Sequence, residues 1–148
     1  MKRRSILLIV ALAVLGGVAF GLKEYFRGHT DVGGMDAVHA VDAPALLAEF
    51  MADDAAARAK YVGSSEQAIQ VSGVIAAIEA GSGTSPANVR LETGDPMASV
   101  ACEFAPTVLP AGWKAGDHVS VKGICQGYTG DGMLPGDVVL QRCIDAEQ

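Results

Sequence analysis

Residues 117–128 read Asp117-His118-Val119-Ser120-Val121-Lys122-Gly123-Ile124-Cys125-Gln126-Gly127-Tyr128. Val119, Val121, Gly123, Cys125 and Gly127 share one side of this stretch, and His118, Ser120 and Lys122 take the other. A two-residue period is the mark of a strand with one buried face. The glycines at 123 and 127 remove side chains where a small sheet must bend or admit another backbone. Residues 69–75 have the same character, with Ile69, Val71, Gly73 and Ile75 alternating with Gln70 and Ser72. Two long, glycine-bent strands in a short chain predict a small closed barrel.

Working outward, strands are expected at 68–79, 88–93, 99–104, 117–128 and 137–144. In the first of these the apolar phase moves from odd positions (Ile69, Val71) to even ones (Ala76, Ile78), a slip that needs a bulge, placed at Gly73. The loop 81–87, the turn Gly94-Asp95-Pro96, the proline-bearing connection 105–116 and the loop 130–136 separate the strands. Ahead of them, Asp42-Ala43-Pro44 reads as a helix start with Asp42 as N-cap, and Gly63 as its stop. Leu46, Leu47, Phe50, Met51, Ala57 and Tyr61 fall near helical spacing and are expected to lie against the barrel. The expected organisation is therefore a mainly β chain: a helix over 42–63, a five-stranded barrel over 64–148, and a flexible tether over 28–41 that contains Gly33-Gly34.

Residues 1–27 supply an address. Ile6 to Leu22 carries no charge, follows Lys2-Arg3-Arg4, and is followed by Lys23, Tyr25 and Phe26. As a helix this run spans roughly 25 Å, near the lower limit for a bilayer. Basic residues ahead of it should stay in the cytoplasm, so the rest of the chain is expected outside, held by a single-pass anchor in the inner membrane. A cleaved secretory signal is the competing reading, although no Ala-x-Ala site stands out after Leu22. No cysteine precedes Cys102, which excludes processing as a lipoprotein. From Gly28 onward six basic residues face sixteen acidic ones, a net charge of −10. Such a body repels polyphosphates unless its cations share one groove.

The order of these pieces resembles the membrane-anchored bacterial proteins of the tRNA_anti-like OB-fold family. The likeness covers residues 45–144. It rests on Leu47-Ala48-Glu49-Phe50 through Ala59-Lys60-Tyr61 and Gly63, then Ile69-Gln70-Val71-Ser72-Gly73-Val74. It continues through Leu91-Glu92-Thr93-Gly94-Asp95, Val100-Ala101-Cys102-Glu103-Phe104, Gly116 to Gly123, Cys125-Gln126-Gly127 and Val139-Leu140-Gln141-Arg142-Cys143. The resemblance implies a five-stranded OB barrel preceded by a helix that packs on it. It implies no reaction, cofactor or catalytic residue.

An OB-fold reads single strands with aromatic platforms and a basic groove on its second and third strands. The outward positions here are Asn88, Arg90 and Glu92, then Ser99, Ala101 and Glu103: one arginine, two glutamates and no ring. Trp113 and Tyr128 could stack a base, but such rings more often cover a barrel end. Cys125 and Cys143 lie on strands that an OB barrel pairs, so a disulfide between them is one expectation, worth about 3 kcal/mol through its loop. Three small buried hydrophobes are the other. His29, His39 and His118 are dispersed, no pair has zinc spacing, and Asp131 and Asp137 flank a loop lacking the ligand pattern of a calcium site. Ser64-Ser65 stands in no nucleophile elbow. The sequence thus predicts an anchored binding or scaffolding module without a reaction or cofactor. Its ligand-facing candidates are Arg90, Ser82, Thr84, Trp113, Tyr128 and Asp131, suited to a protein or a hydroxyl-rich ligand. A single-stranded nucleic-acid binder is the alternative.

Overall fold

The computed structural model describes residues 31–147, with residues 16–18 and 21. The chain divides into two units, Met1–Asp31 and Val32–Gln148. The charge-free run at 6–22 lies almost wholly outside the described residues, as does the expected anchor. Among the described residues no helix is long and apolar enough to cross a membrane.

Alternating sequence becomes strand where it was expected. The second unit contains β1 (Ala37–Asp42), α1 (Ala43–Ala52), α2 (Asp54–Ala57), a π turn (Arg58–Val62), β2 (Ala68–Glu79), β3 (Ala87–Glu92), β4 (Ser99–Phe104), β5 (His118–Tyr128) and β6 (Val138–Asp145). The sheet order is β1-β2-β3-β4-β6-β5, and β2 also pairs with β5. That last pairing closes β2, β3, β4, β6 and β5 into a five-stranded barrel, all antiparallel except for the parallel β4–β6 ladder. Ile69, Val71, Val89, Leu91, Val100, Cys102, Phe104, Val121 and Leu140 fill it without exposure.

β1 was not expected, and it corrects the reading of 28–41 as a flexible tether. Val32–Gly34 forms a 3-10 turn, and Ala37–Asp42 pairs in parallel with β2. The cause lies in the length of β2. β3 pairs only with its second half, from Ile75 to Glu79. The first half, Ala68 to Ser72, has β5 on one side and an open edge on the other, which β1 fills.

The helical region is interrupted. Asp53 is extended (φ −156°, ψ 93°), and its carboxylate accepts the Ala56 N–H, capping α2. Asp42 precedes α1 but makes no side-chain cap. Leu46, Leu47, Phe50, Ala57 and Tyr61 are buried on the barrel, as expected, whereas Met51 is 57 % exposed. Complete burial of a ring such as Phe50 stabilises by about 2–3 kcal/mol. Tyr61 donates to the Glu49 carboxylate, which also takes Lys60 Nζ at 2.8 Å, tying the π turn back to α1.

The bulge in β2 lies between Ile75 and Ala77, opposite β3, and not at Gly73. Gly73 serves close approach: a Cβ there would stand 3.1 Å from that of Ala43, at the start of α1. β6 holds one extra residue against both neighbours. Leu140 and Cys143 oppose Cys102 and Phe104 on β4, while Gln141 and Ile144 oppose Ile124 and Lys122 on β5. Arg142 takes the left-handed conformation there, φ 54°, so Leu140 and Cys143 both face inward across an interval of three.

Gly127 meets two demands. Its φ is 109°, and a Cβ would lie 2.4 Å from Nη1 of Arg58. That guanidinium leaves the π turn to donate to the Tyr128 carbonyl at 2.9 Å. Gly127→Ala should destabilise the domain by about 2–3 kcal/mol, from backbone strain plus displacement of Arg58. Gly83→Ala, at φ 61° with no atom within 4 Å of the added Cβ, should cost only about 1 kcal/mol. Denaturant unfolding of both variants checks the ranking.

Candidate functional site

The outer surface of β3 and β4 keeps the residues that alternation assigned to it. Asn88 lies opposite Glu103, Arg90 opposite Ala101, and Glu92 opposite Ser99. The β2–β3 ladder adds Glu79 beside Asn88. Arg90 is engaged. Its Nη1 donates to Asp137 at 2.7 Å and to the Ser99 hydroxyl at 3.0 Å, and its Nε to Glu79 at 3.3 Å. Asp137 also accepts the Ser99 backbone N–H at 2.8 Å and the Ser99 hydroxyl at 2.9 Å. Burial pushes the Asp137 carboxyl up, but these donors outweigh it and hold the group below the ordinary carboxylate value. The hydrogen bond that Arg90 donates to Asp137 raises the Arg90 pKa, against a smaller opposing effect of burial. This network walls a hollow of about 490 Å3 beside the Thr93–Ala98 turn, with Leu91, Pro96 and Met97 as its apolar side.

The other candidates do not converge on it. Trp113 stands edge-on to Phe104, ring centroids 5.6 Å apart, in the connection before β5. Tyr128 stacks on Phe50 at 6.5 Å and accepts the Gly136 N–H at its hydroxyl, 3.1 Å away. Both rings are half-buried in packing. Ser82 and Thr84 are exposed in the β2–β3 loop. Asp131 lies in the β5–β6 loop, where its Oδ1 accepts the N–H groups of Met133 at 3.0 Å and Leu134 at 2.8 Å. The Leu134 and Met133 amides hold that carboxyl below its ordinary value. Tyr128 and Asp131 share a second hollow of about 530 Å3 with Phe50, Met51 and Asp54. Sequence reasoning assigned Met51 to the barrel contact and left out Met133 and Leu134; only the folded chain reveals that all three are exposed.

The disulfide between Cys125 and Cys143 is not formed: all three thiols are free and buried. The extra residue in β6 turns Cys143 towards Cys102, with which it shares a hydrogen bond, and fits its sulfur over Gly123. Cys125 pairs in register with Leu140, which precedes Cys143 on β6. Burial pushes the Cys125 thiol up to about 11, and burial followed by Cys102 raises that of Cys143. Neither is a nucleophile at neutral pH. Among the described residues no group of acidic, histidine and cysteine side chains could hold a metal ion.

Within the barrel, strand order, ladder directions and the single parallel pair, β4–β6, define an OB-fold, the class to which many oligonucleotide- and oligosaccharide-binding domains belong. The chain belongs to the tRNA_anti-like family, whose model matches residues 1–144. A search of curated protein sequences found no match. Among solved structures, the chain is similar to a protein from Klebsiella pneumoniae described as a "putative nucleic acid-binding lipoprotein". Identity is 18 %, coverage 81 % of this chain and 98 % of that one, and the TM-score 0.54. An asparaginyl-tRNA synthetase from Entamoeba histolytica is matched at 14 % identity over 63 % of this chain and 22 % of that one, TM-score 0.36. The first likeness supports the fold.

Two outcomes are expected. Asp137→Asn should lower stability at pH 7 by about 1–3 kcal/mol. Because the folded pKa of Asp137 is depressed, its contribution is present above the unfolded value near ~4 and is lost as pH falls through the folded one. The gap between wild type and variant should therefore close in acid, which denaturant midpoints from pH 7 to pH ~3 will read. A thiol titration should find no reactive sulfur in the folded domain and all three after unfolding; recovery of one alone would mean a disulfide.

Proposed function

We propose that this protein is a non-catalytic binding or scaffolding module, held at the inner membrane by its first residues, with the OB barrel outside the cytoplasm. Its ligand is a protein or a hydroxyl-rich molecule. One observation carries the choice of ligand: Arg90, the one cation on the outer β3–β4 positions, is already neutralised by Asp137 and Glu79. A phosphate would have to displace two carboxylates from it, inside a domain whose charge is strongly negative. Stacking fares no better, since Tyr128 and Trp113 are committed to Phe50 and Phe104. The anchor reading is supported by Lys2-Arg3-Arg4 ahead of the charge-free run from Ile6 to Leu22.

Single-stranded nucleic acid remains the second reading, favoured by the description attached to the Klebsiella relative. Fluorescence anisotropy with labelled oligo-dT and oligo-U separates the two. At about 0.15 M salt no saturation is expected up to roughly 100 µM protein. Saturable binding that weakens steeply with salt would replace the proposal with the nucleic-acid one. For the address, a C-terminal reporter active only outside the cytosol should be active, and silence would refute it.

A further inference from the structure

The β5–β6 loop holds large apolar side chains in water. Met133 is 90 % exposed and Leu134 66 %. They are not loose ends of a slack segment. Asp131 Oδ1 accepts both of their N–H groups, Tyr128 Oη accepts that of Gly136, and Thr129 Oγ1 exchanges hydrogen bonds with the Asp137 backbone. A loop tied at both ends and in its middle keeps the two side chains turned outward instead of folding them onto the barrel. They line the hollow of about 530 Å3 together with Met51 and the half-buried Tyr128, with the buried Phe50 behind. Met51 is 57 % exposed, so helix and loop face one another across an apolar trough.

The charges at this trough set the sign of what enters it. Asp54 and Asp131 line it. Arg58 stands nearby, but its Nε is held by Asp54 at 2.7 Å and its Nη2 by the Tyr128 carbonyl. Asp131 accepts the loop amides at Oδ1 and its side chain is exposed, which leaves its charge open to an incoming cation. The domain around it carries the net −10 counted from the sequence. An anionic partner, an acidic membrane surface or a second copy of this chain would each meet like charge. A cationic one is drawn in.

We propose that the trough between Met51 and Met133–Leu134 docks a segment of a partner protein that has a large apolar side chain beside lysine or arginine. The apolar side chain enters beside the Tyr128 ring, between methionines whose flexible stems adapt to its shape. The adjoining cation meets Asp131. This rests on the module reading above and specifies its partner and its site.

Full-length protein in detergent micelles, as wild type and as M133S/L134S, would be titrated with three labelled peptides. One alternates leucine and phenylalanine with lysine, the second carries glutamate for lysine, and the third carries serine for the apolar residues. Both substituted side chains are largely exposed, so unfolding midpoints should match. The apolar–basic peptide should bind wild type saturably and the variant about tenfold more weakly, the loss of one apolar anchor. The other two should bind more weakly than the first. Failure of the first peptide to bind, equal affinity for the variant, or equal affinity for the acidic peptide would overturn the docking site while leaving the module reading in place. Saturable oligonucleotide binding shared by wild type and variant would remove that reading, and the docking site with it.

Discussion

β5 must pair with β2 along its first half and with β6 along most of its length, while bending enough to shut a narrow barrel. A regular strand cannot do this. The ladder with β6 therefore slips twice, once between Lys122 and Ile124, at Gly123, and once between Cys125 and Gly127. At the first slip the missing side chain makes room for Cys143; at the second, the positive φ turns the strand end and the empty space takes Arg58. The helical segment is thus latched to the barrel, through Arg58, beside the second of these slips. Closure, core filling and the seat of the helix all depend on those two residues having no side chain.

The surface that results is one of acceptors. Glu79, Asn88, Glu92 and Glu103 lie around Arg90 on the outer side of β2, β3 and β4, and Asp137 reaches in from the start of β6. Arg90 is consumed in joining β3 to the β5–β6 loop end. It acts as a structural tie, and the same tie neutralises the one positive charge that the described residues place on the outer β3–β4 positions, a face that in other OB-folds follows a phosphate chain. Apolar exposure is found elsewhere, at the Met133–Leu134 tip, where loop hydrogen bonds offset the cost of keeping it unfolded from the core.

The five barrel strands were legible because their signal is local. Period-two alternation gave Ala68–Glu79 and Ser99–Phe104 to the residue, and the other three to within one position. The outward placement of Arg90 and Glu92 followed from the same period. Three features were not legible. β1 is built from Ala37, Val38, His39, Ala40, Val41 and Asp42, too weakly apolar to stand out, and it forms because β2 offers an open edge. The break at Asp53 depends on a carboxylate choosing the Ala56 amide. Cys143 turns to Cys102 because Arg142 adopts a conformation that sequence disfavours.

Sequence alone determined the class of fold, the residues that fill the barrel, the negative charge and the poverty of the outer face in cations and rings. Those properties depend on which residue types recur at which interval, and a list carries that information. Tertiary structure alone decided which partner each group takes: Asp137 for Arg90, Cys102 for Cys143, Phe50 for Tyr128, and solvent for Met133. Those pairings join residues far apart in the chain, through ladders whose register shifts by single bulges. One inserted residue moves every later side chain to a new neighbour, and nothing local records where that insertion falls.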